Sequence, residues 1–278
     1  MAKECLSNTS LFHETLHALG FRHTQSRPDR DDYVNIHSET IKKDKKEEDY
    51  LKLVAYPNFT YYGIPYEYNS IMHYDNGIYM EPKDSDYLSS IKGVRMTFND
   101  WKMVNLHYKC NETCEEKIAC NNGGYQHPRK CNVCVCPQLY GGSFCEEEPE
   151  VEILSEGEIK FLNHTFPRDD EKYLNSEGTP FEEFARATPV VIKAPDGTRI
   201  RVTIIRIFDM ESPEPGPCRF KALEIIDGDL TSVGKRFCTN ISNGHSFVSK
   251  TNVIGYTIFA SPGLDFTTFV TFAVEKMA

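Results

Sequence analysis

The chain has 278 residues, with 31 Lys and Arg against 41 Asp and Glu and a formal net charge of −10. The acidic balance argues against a nucleic-acid partner, and no apolar run approaches the roughly 20 residues of a membrane-spanning helix. Length points to more than one domain, and 40% hydrophobic with 12% aromatic residues is enough for ordinary packed cores.

Residues 8 to 20 read as an amphipathic helix, with Leu11, Leu16 and Leu19 toward a core and His13 and His17 toward a cleft. The stretch His13 to His23 reads H-E-x-x-H-x-x-G-x-x-H. Two histidines four apart on a helix share one face, one turn apart, and can grip one tetrahedral ion. Glu14 leans over the same face. Gly20 lacks a Cβ and can turn the chain through a positive φ, swinging His23 back as a third ligand. Three protein ligands leave a fourth position open, the pattern of a catalytic site.

Residues 26 to 33 form a charge-dense loop, and Lys42 to Asp49 is a run of eight charges, four of each sign, read as a solvated helix or loop. Residues 56 to 88 are rich in Tyr, Gly, Pro and Asn and predict irregular structure with short turns. Thr97 or Asn99 caps a closing helix carrying Trp101, Val104 and Leu106. Lone histidines (His37, His107, His127, His164, His245) are read as ordinary core or surface residues.

Six of the ten cysteines, Cys114, Cys120, Cys131, Cys134, Cys136 and Cys145, lie within 32 residues. That density reads as a disulfide scaffold made in an oxidising compartment. Sequons at Asn8, Asn58, Asn111, Asn163 and Asn240 agree with a secreted glycoprotein. Yet the chain opens Met-Ala-Lys-Glu-Cys with no visible signal peptide, which suggests a fragment. Glu146 to Glu150 reads as a charged linker. Beyond it, β-branched runs at 190–192, 200–208, 223–226, 253–259 and 266–274 alternate with turns, an all-β sandwich pattern.

The first segment resembles the astacin family of zinc metallopeptidases, members of the metzincins. The match is carried by His13-Glu14-x-x-His17-x-x-Gly20-Phe21-x-His23-x-x-x-Arg27-x-Asp29-Arg30-Asp31-x-Tyr33 and by Ser70-Ile71-Met72-His73-Tyr74. The resemblance implies one Zn²⁺ per chain on His13, His17 and His23, with Glu14 as general base. It implies that Tyr74 is a further zinc contact that swings to steady the oxyanion, and that Met72 forms a turn beneath the metal. Arg27 to Asp31 would be a structural ion-pair loop. A zinc ion lowers the pKa of a bound water toward about 7, Glu14 takes its proton during attack on a peptide carbonyl and passes it to the leaving amine, and Tyr74 helps stabilise the oxyanion.

The cysteine cluster, with Asn122-Gly123-Gly124 and Tyr140-Gly141-Gly142, looks like an EGF-like module. Its family pairing is Cys114–Cys131, Cys120–Cys134 and Cys136–Cys145, with no clean calcium consensus. A zinc ribbon is the rival reading of Cys131 and Cys134. Residues 151 to 278 resemble a divergent CUB domain, implying a Cys218–Cys238 bridge, with Lys221 where calcium-binding relatives carry Asp. The expected fold class is α+β: a metzincin C-terminal catalytic half (zinc helix, irregular Met-turn region, closing helix), a disulfide-rich EGF-like module and an all-β CUB-like sandwich. The expected domains are 1–110, 111–146 and 151–278.

Two departures accompany the nematode-type resemblance. The family sets a whole sheet-bearing half before the zinc helix, whereas twelve residues precede His13, so Cys5 and Cys110 lack their usual partners. Thr24 stands where the family commonly has Glu. The expectation is an N-terminally truncated, secreted or extracellular zinc metalloendopeptidase acting on protein or peptide substrates, without nucleic acid or a membrane span, with EGF and CUB protein contacts. This chain by itself is expected to bind zinc weakly and cleave poorly. The alternative is a non-catalytic EGF-CUB adhesion or adaptor protein with a relic zinc site.

Overall fold

The computed structural model describes residues 8–53, 60–93, 95–166, 185–186, 188–208, 217–261 and 264–276. Cys5, Asn58 and the side chain of Asn8 lie outside the described residues. The chain divides into two compact units, residues 1–136 and 137–278. No described helix is long and apolar enough to cross a membrane.

The first unit opens with helix α1 (Asn8–Ala18). Leu16 is buried with Ile71 and Met72, and Phe21, Met96 and Val104 pack around them. Leu11 departs from expectation: it is 60% exposed. Five residues turn the helix by about 140° beyond a full turn, so Leu11 and Leu16 cannot share a face. A two-stranded pair, β1 (Val34–Ile36) against β2 (Met80–Pro82), flanks helix α2 (Ser38–Lys43). This pair lies over an aromatic cluster in which Tyr66 stacks on Tyr33 at 4.4 Å and Tyr68 on Tyr87 at 4.5 Å. The charged run ahead of Asp49 is exposed, as its composition implies.

Helix α3 (Phe98–His107) starts at a capping box, Thr97 accepting from the Asp100 amide while Asp100 accepts from the Thr97 amide. Val104 reaches the Leu16 cluster, while Trp101 is exposed and touches Phe12 edge-on at 6.2 Å. Beyond it lies the cysteine-rich segment, whose hairpin pairs β3 (Tyr125–Gln126) with β4 (Cys134–Val135). Cys114–Cys131 and Cys120–Cys134 are bonded as the EGF-like resemblance implies, which removes the zinc-ribbon reading. Cys136 and Cys145 are also disulfide-bonded, and Cys110 is free.

The second unit is a two-sheet sandwich. One sheet has strand order β11 (Lys235–Phe237), β10 (Lys221–Asp227), β13 (Val253–Ala260), β8 (Val190–Lys193), β5 (Glu150–Ile153), with β7 (Ala185–Arg186) also on β13. The other has order β12 (Ser246–Val248), β9 (Thr198–Phe208), β14 (Phe266–Lys276), β6 (Ile159–Phe166). Between them Ile192, Ile200, Val202, Ile204, Leu223, Ile225, Ile258, Phe266 and Phe272 form the core. The register between β9 and β14 shifts between Phe269 and Val270. That bulge admits Ile205 as an extra residue, so Ile205 is exposed and Ile207 takes the inward place. The Cys218–Cys238 bridge is formed. Glu150 of the expected linker is instead the first residue of β5, pairing in parallel with Val190. Leu139 is buried against Val191 and Ile226. Gly255 leaves the space it fills, since a Cβ there would sit 2.4 Å from Leu139 Cδ1.

Candidate metal centre

Helix α1 ends in a tight cap. The Gly20 amide donates to the His17 carbonyl and the Phe21 amide to the Leu16 carbonyl, both at 2.9 Å, with Gly20 at φ 91°. This is a Schellman cap, closed by the apolar contact between Phe21 and Leu16. It reverses the chain at the helix end, and His23 comes back alongside the two helical histidines.

The three imidazoles converge. Nε2 of His17 lies 2.9 Å from Nε2 of His23, which lies 3.3 Å from Nε2 of His13. A ligand atom from each falls within 4.8 Å of the others. Nδ1 of His13 donates to the Ile71 carbonyl at 2.8 Å, and Nδ1 of His17 to the Phe21 carbonyl at 2.9 Å. A carbonyl only accepts, so both rings carry their proton on Nδ1 and aim an Nε2 lone pair at the common point. Zinc bonds nitrogen at about 2.0–2.1 Å, and in tetrahedral geometry that separates two ligand nitrogens by roughly 3.3–3.4 Å. The donor set therefore fits a zinc ion in chemistry and tautomer, with the His13–His23 separation at the tetrahedral value and the His17–His23 separation shorter than it. Burial, then His17, then His13, pulls the pKa of His23 down to about 4, so the ring is neutral and ready to bind.

The Tyr74 ring centroid lies 4.2 Å from that of His23. Its phenol pKa is raised by burial, then by Asp49, then by Glu14, so both carboxylates lie within electrostatic reach of it. Glu14 itself is exposed on α1 beside His13. The three histidines thus converge, with Tyr74 beside His23 and Glu14 within electrostatic reach of Tyr74.

A second set of residues fixes this geometry. Met72 is buried with Leu16 and Ile71, and the Ile71 carbonyl accepts from His13 Nδ1. The turn that carries it is held from α3: Asp100 accepts from the Ser70 hydroxyl at 2.6 Å, the Ile71 amide at 3.1 Å and the Thr97 amide at 3.0 Å. Burial raises the Asp100 pKa against these donors. The segment after His23 is tied to the same turn, Thr24 N donating to Met72 O at 3.0 Å and Tyr74 N to Gln25 Oε1 at 3.0 Å. His73 points away from the cluster, donating to the Tyr74 carbonyl at 2.7 Å and accepting from the Tyr66 hydroxyl at 2.8 Å. Arg27 is buried, paired with Asp29 at 2.7 Å and bonded to the Ile64 and Pro65 carbonyls. Arg30 bonds the Gln25 and Tyr50 carbonyls. The ion-pair loop is structural, as expected. Asp100 and Gln25 carry no motif; the one sequence signal for Asp100 is the Thr97-x-x-Asp100 spacing of a capping box.

Residues 1–109 match the family model for the astacin peptidases. Over 251 residues the chain is 33% identical to zinc metalloproteinase dpy-31 of Haemonchus contortus, covering 86% of this chain and 44% of that protein. Over 265 residues it is 32% identical to zinc metalloproteinase nas-23 of Caenorhabditis elegans, covering 89% of this chain and 46% of that one. High choriolytic enzyme 1, a hatching enzyme zinc-protease from Oryzias latipes, aligns at 28% identity over 36% of this chain and 52% of its own, with a TM-score of 0.31. The chain spans less than half the length of these curated relatives.

Proposed function

With residues 1–109 belonging to the astacin family of peptidases, we propose that the chain carries the metal-binding part of an extracellular zinc endopeptidase. The reading rests above all on the histidine geometry: Nε2 contacts of 2.9 and 3.3 Å, with two Nδ1 protons committed to backbone carbonyls. His13, His17 and His23 would hold one Zn²⁺. Such an ion acts as a Lewis acid that draws a water's pKa toward about 7 and polarises a carbonyl.

The chain's own groups do the rest. Glu14 accepts the proton of the attacking water as its oxygen bonds the peptide carbon, then delivers it to the nitrogen as the C–N bond breaks. The phenol of Tyr74, kept protonated by burial and two nearby carboxylates, donates a hydrogen bond to the oxygen that becomes negative. Asp100 holds the Ile71 residue to which His13 is bonded. The oxidised cysteine scaffold and the zinc metalloproteinase relatives support an extracellular setting. The domain limits 1–110, 111–146 and 151–278 belong to the same reading.

Competition against a chromophoric chelator tests the metal, and peptide or casein cleavage tests the chemistry. At zinc concentrations high enough to fill a weak site, the expected result is one zinc per chain, lost in His23→Ala and kept in Glu14→Ala, with slow, chelator-sensitive cleavage abolished by Glu14→Ala. Zinc uptake indifferent to His23 sinks the metal assignment. Metal-bound protein that never cleaves favours the adaptor reading.

A further inference from the structure

Strand β6 carries two apolar side chains, Ile159 and Phe161, outward. Phe161 is 70% exposed and Ile159 54%. Alternation along the strand puts Ile159, Phe161, Asn163 and Thr165 on the outer face and turns Leu162 into the core. Across the ladder Asn163 pairs with Phe269, Phe161 with Thr271 and Ile159 with Ala273, and on β9 Arg206 continues the Phe269 row. Among the described strands β6 bonds only to β14, at one end of the order β12-β9-β14-β6. An eight-residue edge strand with Ile159 and Phe161 facing outward is a template for pairing with another copy.

Asn163 lies in the middle of that strand, with an exposed side chain, and opens the sequon Asn163-His164-Thr165. We propose that Asn163 is an N-glycosylation site whose glycan covers this apolar edge and keeps copies of the chain apart. In the transfer, the Asn163 amide nitrogen forms a bond to the anomeric carbon of an oligosaccharide. The bond from that carbon to a polyprenyl diphosphate breaks, the diphosphate leaves with the electron pair, and the amide proton passes to a base of the transferring enzyme. The attached sugars stand over Phe161 and Phe269, and their bulk denies a second β6 the approach of about 4.8 Å that strand pairing needs. The charged and short-strand devices that commonly guard edges are weak here: Lys160 is the one charged residue of β6, and it is held by Glu152.

The proposal rests on the extracellular reading above. Its test uses the full chain secreted from eukaryotic cells behind an added leader, digested with peptide N-glycosidase in ¹⁸O water and mapped by mass. Asn111 and Asn240, also exposed sequons, serve as internal references. The expected result is isotope-labelled Asp at position 163. Label at 111 or 240 with an unmodified 163 overturns the site and leaves the extracellular reading standing; label nowhere overturns both. Light scattering before and after native deglycosylation reads the second half of the proposal. The expected shift is from monomer toward dimer or larger mass, repeated by Asn163→Gln and reversed when Phe161→Ser is added to Asn163→Gln. An unchanged mass in both the deglycosylated protein and Asn163→Gln refutes the shielding role.

Discussion

His17 does two jobs with one ring. Its Nδ1 proton caps the turn at Phe21, and its Nε2 faces His23 at 2.9 Å. Replacing it by Ala removes a proposed ligand and loosens the turn that returns another. Zinc affinity in His17→Ala is therefore expected to fall by more than the ~10–100-fold typical of losing an outer partner, measured by chelator competition. His73 is the contrasting histidine. Fully enclosed, with both ring nitrogens bonded, it has its pKa pushed down by burial from 6.5 to about 4. Protonation therefore favours the unfolded chain. The stability it lends is whole above pH 6.5 and drains away as pH falls toward 4, by about 3 kcal/mol. In metal-free protein the melting temperature should drop between pH 7 and 4.5, and His73→Gln should flatten that slope. An equal slope in both proteins contradicts the assignment.

Helices α1 and α3 show what the sequence made legible. The histidine spacing, Gly20 and the cap at Thr97 are local signals: each depends on residues within one or two turns, and each appears where pattern places it. The second role of Asp100 is not local, since its partners Ser70 and Ile71 lie about thirty positions away and only folding brings them in. Leu11 is exposed because its angle around the helix axis, and not its apolar identity, decides which side of α1 meets the core. Two substitutions separate these cases. Leu16→Ala opens the buried cluster with Ile71 and Met72 and should cost about 2–5 kcal/mol, whereas Leu11→Ala should stay within about 0.5 kcal/mol, both read by denaturant midpoint. Asp100→Ala removes the cap and strands the Ser70 and Ile71 donors. A loss of about 3 kcal/mol is expected, together with weaker zinc binding as the Ile71 carbonyl loses its fixed place under His13.

At the scale of the molecule, each unit owns its core: the Leu16 and tyrosine clusters in residues 1–136, and the sandwich core in 137–278. The long runs of the sandwich were legible because β9, β10, β13 and β14 are rich in β-branched and aromatic residues. Strand β6 was not, because Lys, Asn and His interleave with apolar residues on both its faces and blur the alternation, and β5 was not, because it is four residues long and begins inside the acidic run. Separate cores imply separate responses. On the proposed assignment zinc binds the first unit, so at a hundredfold excess over its dissociation constant it should stabilise that unit by about 2.7 kcal/mol. The sandwich answers to its own crosslink, the Cys218–Cys238 bridge across 20 positions. Its removal in Cys218→Ala with Cys238→Ala should cost the sandwich about 2–4 kcal/mol, chiefly by freeing the unfolded chain. Calorimetry of the full chain should therefore show two transitions, one raised by zinc and the other lowered by the cysteine substitutions, with zinc affinity unchanged in the cysteine variant. A single transition moved by both treatments would mean that the two cores melt as one cooperative body.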